Sequence, residues 1–99
     1  GILSTIYLNY KSKSNLNKIY NELRRYYMKD QFIKILKNKA LSTNDVINTN
    51  NCQISVCKSK DKKKLIILSS IDNLIKGGAG QAVQNLNLIY NFKFNEGLK

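Results

Sequence analysis

The chain contains no histidine, no proline and no tryptophan, and only two cysteines among its 99 residues. Without histidine, Cys52 and Cys57 alone cannot complete a zinc site. Two thiols are also too few for the disulfide framework of a small secreted domain. If both lie on one strand, their odd spacing puts them on opposite faces and keeps them from pairing with each other. They are expected as free thiols, buried or half-buried, in a reducing, cytoplasmic compartment. No apolar run approaches the roughly eighteen residues that a membrane helix needs. The opening GILSTIYLNY has no basic leader ahead of an apolar stretch, so it does not read as a signal peptide. It does not begin with Met, and the chain is read as a piece of a longer one. No Gly- or Pro-rich linker and no internal repeat divides the sequence, which suits one small domain.

Acidic residues are also scarce. Six Asp and Glu stand against seventeen Lys and Arg, a net charge of +11. Such a balance invites a nucleic-acid reading. The residue types oppose it: fifteen of the basic residues are Lys, and only Arg24 and Arg25 supply the fork that reads bases and clamps phosphates. Fourteen Asn and twelve Ile accompany the lysines, the mark of compositional drift in an AT-rich genome. A solvated lysine surface is the expectation. The densest basic run, Lys58 to Lys64 around Asp61, lies between two apolar runs and reads as a hairpin tip.

The hydrophobic pattern predicts strand, helix, strand, strand, strand, helix. Residues 2–10 hold apolar side chains on both alternating faces, so this strand is expected to be buried at least partly on each side. Ser14 is the predicted N-cap of a helix reaching about Met28. Its apolar stripe is Leu16, Ile19, Tyr20, Leu23, Tyr26 and Tyr27. Strands are predicted over 32–36, 52–57 and 65–68, with a long polar loop over 37–51. A second helix is predicted from about residue 72 to 90, and FNEGLK at the end reads as a fraying tail. The fold class is therefore α+β: a mixed or antiparallel sheet of about four strands with two main helices on one face.

The segment DNLIKGGAGQAVQNLN, residues 72–87, carries the most information. Asp72 is placed to cap the helix. Gly77, Gly78 and Gly80 then cost about 1 kcal/mol each relative to Ala in a helix. Two gains can offset this: close approach of another backbone or a flat ligand, and the donors of a helix N-terminus. The order of residues excludes a P-loop, because Lys76 precedes the glycines. It also excludes the dinucleotide fingerprint, because Val83 occupies the third glycine position. Ala79, Ala82, Val83, Leu86 and Ile89 share one helical face suited to close packing, so tight packing and a ligand site both remain open.

DNLIKGGAGQAVQNLNLIYNF closely resembles the C-terminal helix of the N-acetyl-gamma-glutamyl-phosphate reductase family. Gly1 to Ile6 resembles that family's strand after an Arg-Gly step, and Thr49, Asn50 and Cys52 resemble a loop preceding a strand. The sequence departs from the family pattern at Asn48, where Gly is usual, at Leu41 for Pro, at Gln53 for Asp and at Gly78 for Ala. The resemblance implies that residues 1–71 are the later part of a substrate and dimerisation domain. It implies that residues 72–99 form the helix that packs on an NADP-binding domain, with Ala79 and Ala82 against it. The intact enzyme would use NADPH to reduce N-acetyl-glutamyl phosphate to the semialdehyde in arginine biosynthesis, as a homo-oligomer.

By the same resemblance Asn73 would bond the nicotinamide carboxamide, Gly77 and Gly78 would leave room for the ring, and Lys76 would face a phosphate or a carboxylate. Cys52 matches the later loop rather than a nucleophile's context, so no catalytic residue and no metal ligand is assigned within the chain, and the piece alone is expected to be inactive. Two alternatives stand beside this one: a fragment of aspartate-semialdehyde dehydrogenase, whose helix is similar but looser, and a basic nucleic-acid-binding module.

Overall fold

The computed structural model describes residues 1–9, 15–61 and 63–99. Six elements follow in order: β1 (Ile2–Asn9), α1 (Leu16–Tyr27), β2 (Ile33–Lys37), β3 (Cys52–Lys58), β4 (Lys64–Ile71) and α2 (Gly80–Ile89). They form the expected β-α-β-β-β-α order around one four-stranded mixed sheet, with strand order β1-β4-β3-β2. β1 and β3 each pair antiparallel with β4, and β2 pairs parallel with β3. The parallel pair requires a crossover, which residues 38–51 supply. Asn38 and Asn48 in that crossover take positive φ, 52° and 59°. Asn tolerates this left-handed region better than other non-glycine residues. This explains why Asn48 can stand where the resembling family has Gly.

The basic run forms the β3–β4 turn, as its flanking apolar runs predict. Asp61 organises the tip: its carboxylate accepts from the Lys63 N–H at 3.0 Å and its carbonyl accepts from the Lys64 N–H at 3.0 Å. Lys58, Lys60, Lys63 and Lys64 are exposed; Lys62 lies outside the described residues.

α1 begins at Asn15, whose Oδ1 accepts from the Lys18 N–H at 2.8 Å. Ser14, the expected cap, lies outside the described residues, as does Tyr10 of the first strand. Leu16, Ile19 and Leu23 pack on Val56, Leu65 and Ile67. Burying each such side chain contributes about 1.5–3 kcal/mol. Two expectations fail here. Tyr26 is 81% exposed, and among the described residues its ring meets only that of Tyr27, edge-on. In the last turn Tyr27 stays half-buried, while Tyr26, one residue earlier, points away from the core.

The second failure is β1. Every residue of this strand is exposed, including Leu3 at 50% and Tyr7 at 66%. β1 is a sheet edge, while α1 packs on β2 and β3. No described element therefore lies over β1 on either face. Phe32 precedes β2 and is buried against Phe94, ring centroids 5.4 Å apart.

Candidate functional site

The glycine segment begins where β4 ends. Asp72 Oδ1 accepts from the Leu74 N–H at 2.8 Å and the Ile75 N–H at 3.2 Å, which is the cap read from the sequence. Its other oxygen, Oδ2, accepts from the Asn48 N–H at 2.8 Å, a contact that sequence spacing does not reveal. These donors, Asn48 first and Leu74 next, hold the carboxyl below its ordinary value of 3.8. Asp72 thus ties the crossover loop to the turn.

The helix expected over 72–90 is interrupted. The Gly77 N–H donates to the Asp72 carbonyl and the Ala79 N–H to the Leu74 carbonyl, both at 3.0 Å. These five-residue steps make Ile75–Ala79 a wide turn, and Gly78 (φ −149°, ψ −114°) leaves helical dihedrals altogether. Regular α-helix starts only at Gly80. Three glycines in four residues weaken local helical preference, and the non-local partners decide the path.

Asn73, Gly77 and Gly78 meet on the outer side of this turn, and all three are exposed. A Cβ on Gly77 would stand 3.2 Å from Asn73 Oδ1 and 3.3 Å from Ile71 Cδ1. On Gly78 it would stand 3.3 Å from the Asn73 carbonyl oxygen. Bare backbone thus flanks an exposed carboxamide.

Gly80 serves a different purpose. Its Cβ would lie 2.5 Å from Asn50 Oδ1 and 2.6 Å from the Ile75 carbonyl oxygen. Only glycine admits this approach. Asn50 is fully buried and its Nδ2 donates to Gln84 Oε1 at 2.8 Å. Lys76 Nζ donates to the same oxygen at 2.8 Å. An ammonium only donates, so it fixes Gln84 with its oxygen inward. That in turn fixes Asn50 with Nδ2 toward Gln84 and leaves Asn50 Oδ1 against Gly80 with no hydrogen-bond donor among the described residues. Lys76 therefore turns inward, 5.5 Å from the centre of the Phe32 ring.

The buried face of α2 is consequently polar: Gly80, Gln84 and Asn87. Ala79, Ala82, Leu86 and Ile89, the face suited to close packing, are exposed. Asn87 Nδ2 donates to the carbonyls of Phe94 at 3.3 Å and Glu96 at 3.0 Å. The Lys99 carbonyl accepts from the Asn50 N–H at 2.8 Å. The tail is therefore tied down rather than frayed, because it satisfies backbone and amide groups that would otherwise be buried unpaired. Sequence reading missed Gln84 and Asn87, and placed Asn50 in a loop without its bond to Gln84. The spacing of Gly80, Gln84 and Asn87 at i, i+4 and i+7 was the available signal.

Cys52 and Cys57 are free thiols on β3, one buried and one half-buried. Their odd spacing places them on opposite faces. Cys52 Sγ lies 3.7 Å from Ser69 Oγ, and Cys57 Sγ 3.4 Å from Ser55 Oγ.

A family model described as semialdehyde dehydrogenase, dimerisation domain, matches residues 1–73. Among curated proteins, the N-acetyl-gamma-glutamyl-phosphate reductase of Clostridium botulinum (strain Eklund 17B / Type B) is 48% identical over 99 residues, covering 99% of this chain and 29% of the relative. The enzyme of that name from Clostridium kluyveri (strain NBRC 12016) is 42% identical over 99 residues, again 99% of this chain and 29% of the relative. That of Staphylococcus aureus (strain MRSA252) is 37% identical over 100 residues, covering 100% of this chain and 29% of the relative. The chain thus spans about 29% of the length of the relatives it matches.

Proposed function

The chain belongs to the semialdehyde dehydrogenase dimerisation-domain family, and from that premise we propose that it is the C-terminal part of an NADPH-dependent reductase that converts N-acetyl-glutamyl phosphate to N-acetyl-glutamate semialdehyde in arginine biosynthesis. The observation that carries this reading is the exposed cluster of Asn73, Gly77 and Gly78. A carboxamide side chain offers both a donor and an acceptor, which complements the carboxamide of nicotinamide. Side chains at positions 77 and 78 would crowd Asn73, so the residues present suit a flat ring lying against backbone. The bound nicotinamide cofactor supplies the hydride. The chain's own contribution is to position: Asp72 and Asn48 hold the start of the turn, and the Lys76–Gln84–Asn50 relay holds its inner side.

Residues 72–99 would pack on the NADP-binding domain through the exposed side of α2, where Ala79 and Ala82 permit close approach. Cys52 is buried beside Ser69 with no base near it among the described residues, so the reaction's thiol nucleophile is assigned to chain beyond these 99 residues. The reductase would act as a homo-oligomer, with a second copy covering exposed apolar residues of β1 such as Leu3 and Tyr7. Free thiols favour a reducing, cytoplasmic setting. Among the described residues no helix is long and apolar enough to cross a membrane.

The test is steady-state assay of the intact protein with N-acetyl-glutamyl phosphate and aspartyl phosphate, each with NADPH and NADH. Turnover of the first substrate with NADPH is expected. Preference for aspartyl phosphate would overturn the substrate assignment. Asn73→Ala should raise the KM for the cofactor about tenfold, the loss of one or two hydrogen bonds.

A further inference from the structure

At the C-terminal half of α1 a groove of about 580 Å3 opens between the helix and the edge strand β2. Sites for small molecules run to about 300–1,000 Å3. Arg24 and Arg25 from the helix and Lys34 from the strand line the groove, with Asp30 its one carboxylate. Asp30 Oδ1 already accepts from the Phe32 N–H at 2.9 Å. Among the described residues no ion pair engages either arginine.

Residue type adds to the charge argument. Fifteen of the seventeen basic residues are lysine, and the only two arginines are adjacent and line this one groove. Lysine suffices for solvation. A guanidinium is a planar fork that matches two oxygens of a carboxylate or phosphate. The Arg24 guanidinium carbon lies 5.5 Å from the Tyr20 ring centre, a contact that restrains the side chain before any ligand arrives. Beneath the cationic rim, Tyr27, Ile33 and Ile35 are half-buried and Met28 is 74% exposed, an apolar floor open to solvent. Complementing the negative end of α1 is the simpler role for two cations, but lysine would serve it equally. That role calls for no apolar floor.

We propose that this groove binds a small organic anion, its carboxylate or phosphate head on Arg24 and Arg25 and its uncharged body on Tyr27, Ile33 and Ile35; Lys34 alternates to the other face of β2 and lines the groove only at the strand. The site lies at the sheet edge opposite β1 and does not depend on the reductase reading.

Hydrogen exchange of the intact protein, read by mass spectrometry, tests the proposal. The probes are glutarate and inorganic phosphate, with glutaramide as the uncharged control. Glutarate or phosphate should protect peptides within residues 21–35, and glutaramide should not; the stronger probe identifies the head group. R24K/R25K keeps the charge and loses the forks, and should weaken binding about tenfold. K34Q, whose side chain leaves the strand on the other face, should change affinity by less than about twofold. K58Q/K60Q/K63Q removes charge at the hairpin tip and should change affinity by less than about twofold. Absence of protection within 21–35, undiminished binding in R24K/R25K, or an equal loss in the hairpin variant would each overturn the proposal. So would protection by a poly-glutamate peptide alone, which would make the groove a polypeptide site.

Discussion

β1 and α2 invert the usual relation between polarity and burial. β1 is rich in Ile, Leu and Tyr, and all of it is exposed. α2 buries Gly80, Gln84 and Asn87 and exposes Leu86, Leu88 and Ile89. An apolar strand left uncovered is the kind of surface on which a second polypeptide can dock. A buried polar helix face marks geometry held by directed bonds, because each buried donor or acceptor must find its partner or cost stability. One region leaves apolar surface open; the other fixes the shape of the turn beside it.

The comparison is broken most severely at Gly80. Gly80→Ala places a Cβ into Asn50 and the Ile75 backbone and should destabilise the chain by about 1–3 kcal/mol, read as a fall in the urea midpoint. Gly77→Ala, on the outer side of the same turn, meets a movable amide and a methyl instead and should cost less than Gly80→Ala in the same assay. Next comes Gln84→Leu, which strands Asn50 Nδ2 and Lys76 Nζ. The expected loss is about 1–3 kcal/mol for leaving a buried group unpaired. Adding Asn50→Leu should recover part of it, since both partners are then apolar; additive losses in the double-mutant cycle would refute the relay.

Asp72 sharpens the contrast through pH. Its folded pKa is lowered, so its contribution to stability is present above the ordinary value of 3.8 and is lost as pH falls through the folded value. Asp72→Asn should therefore be less stable than the native chain at neutral pH, with the difference shrinking below pH 3.8. A gap that stays constant down the acid limb would show that the carboxylate's ionisation is immaterial. The smallest effect on stability belongs to β1. Tyr7→Lys should shift unfolding by under about 0.5 kcal/mol, as exposed substitutions do. The same change should weaken self-association of the intact protein about tenfold in sedimentation equilibrium if β1 meets a second copy.

Much of the fold is legible in the sequence because it is written in short-range spacing. Alternation marks β3, a continuous apolar run at 65–68 marks β4, and the 3.6-residue stripe from Leu16 through Leu23 marks the core side of α1. The Lys-rich run between apolar segments marks the hairpin. Asp72 reads as a cap because the N–H donors it accepts from lie two and three residues ahead. Its bond to Asn48, 24 residues away, and that of Asn50 to Gln84, 34 away, are beyond any local pattern. The candidate site was partly visible: Asn73, Gly77 and Gly78 adjoin on one surface, but the residues that hold that surface in place were not.

The amino-acid order by itself determined the six elements, their sequence and the position of the glycine-rich segment, because those follow from steric preference and periodicity within a few residues. Tertiary structure alone decided that β1 lies uncovered at an edge and that residues 75–79 widen into five-residue steps. It also decided that the tail returns to Asn50 and Asn87. The reason is that burial and hydrogen-bond satisfaction depend on what stands opposite, and what stands opposite, or fails to, is set by residues far away in sequence.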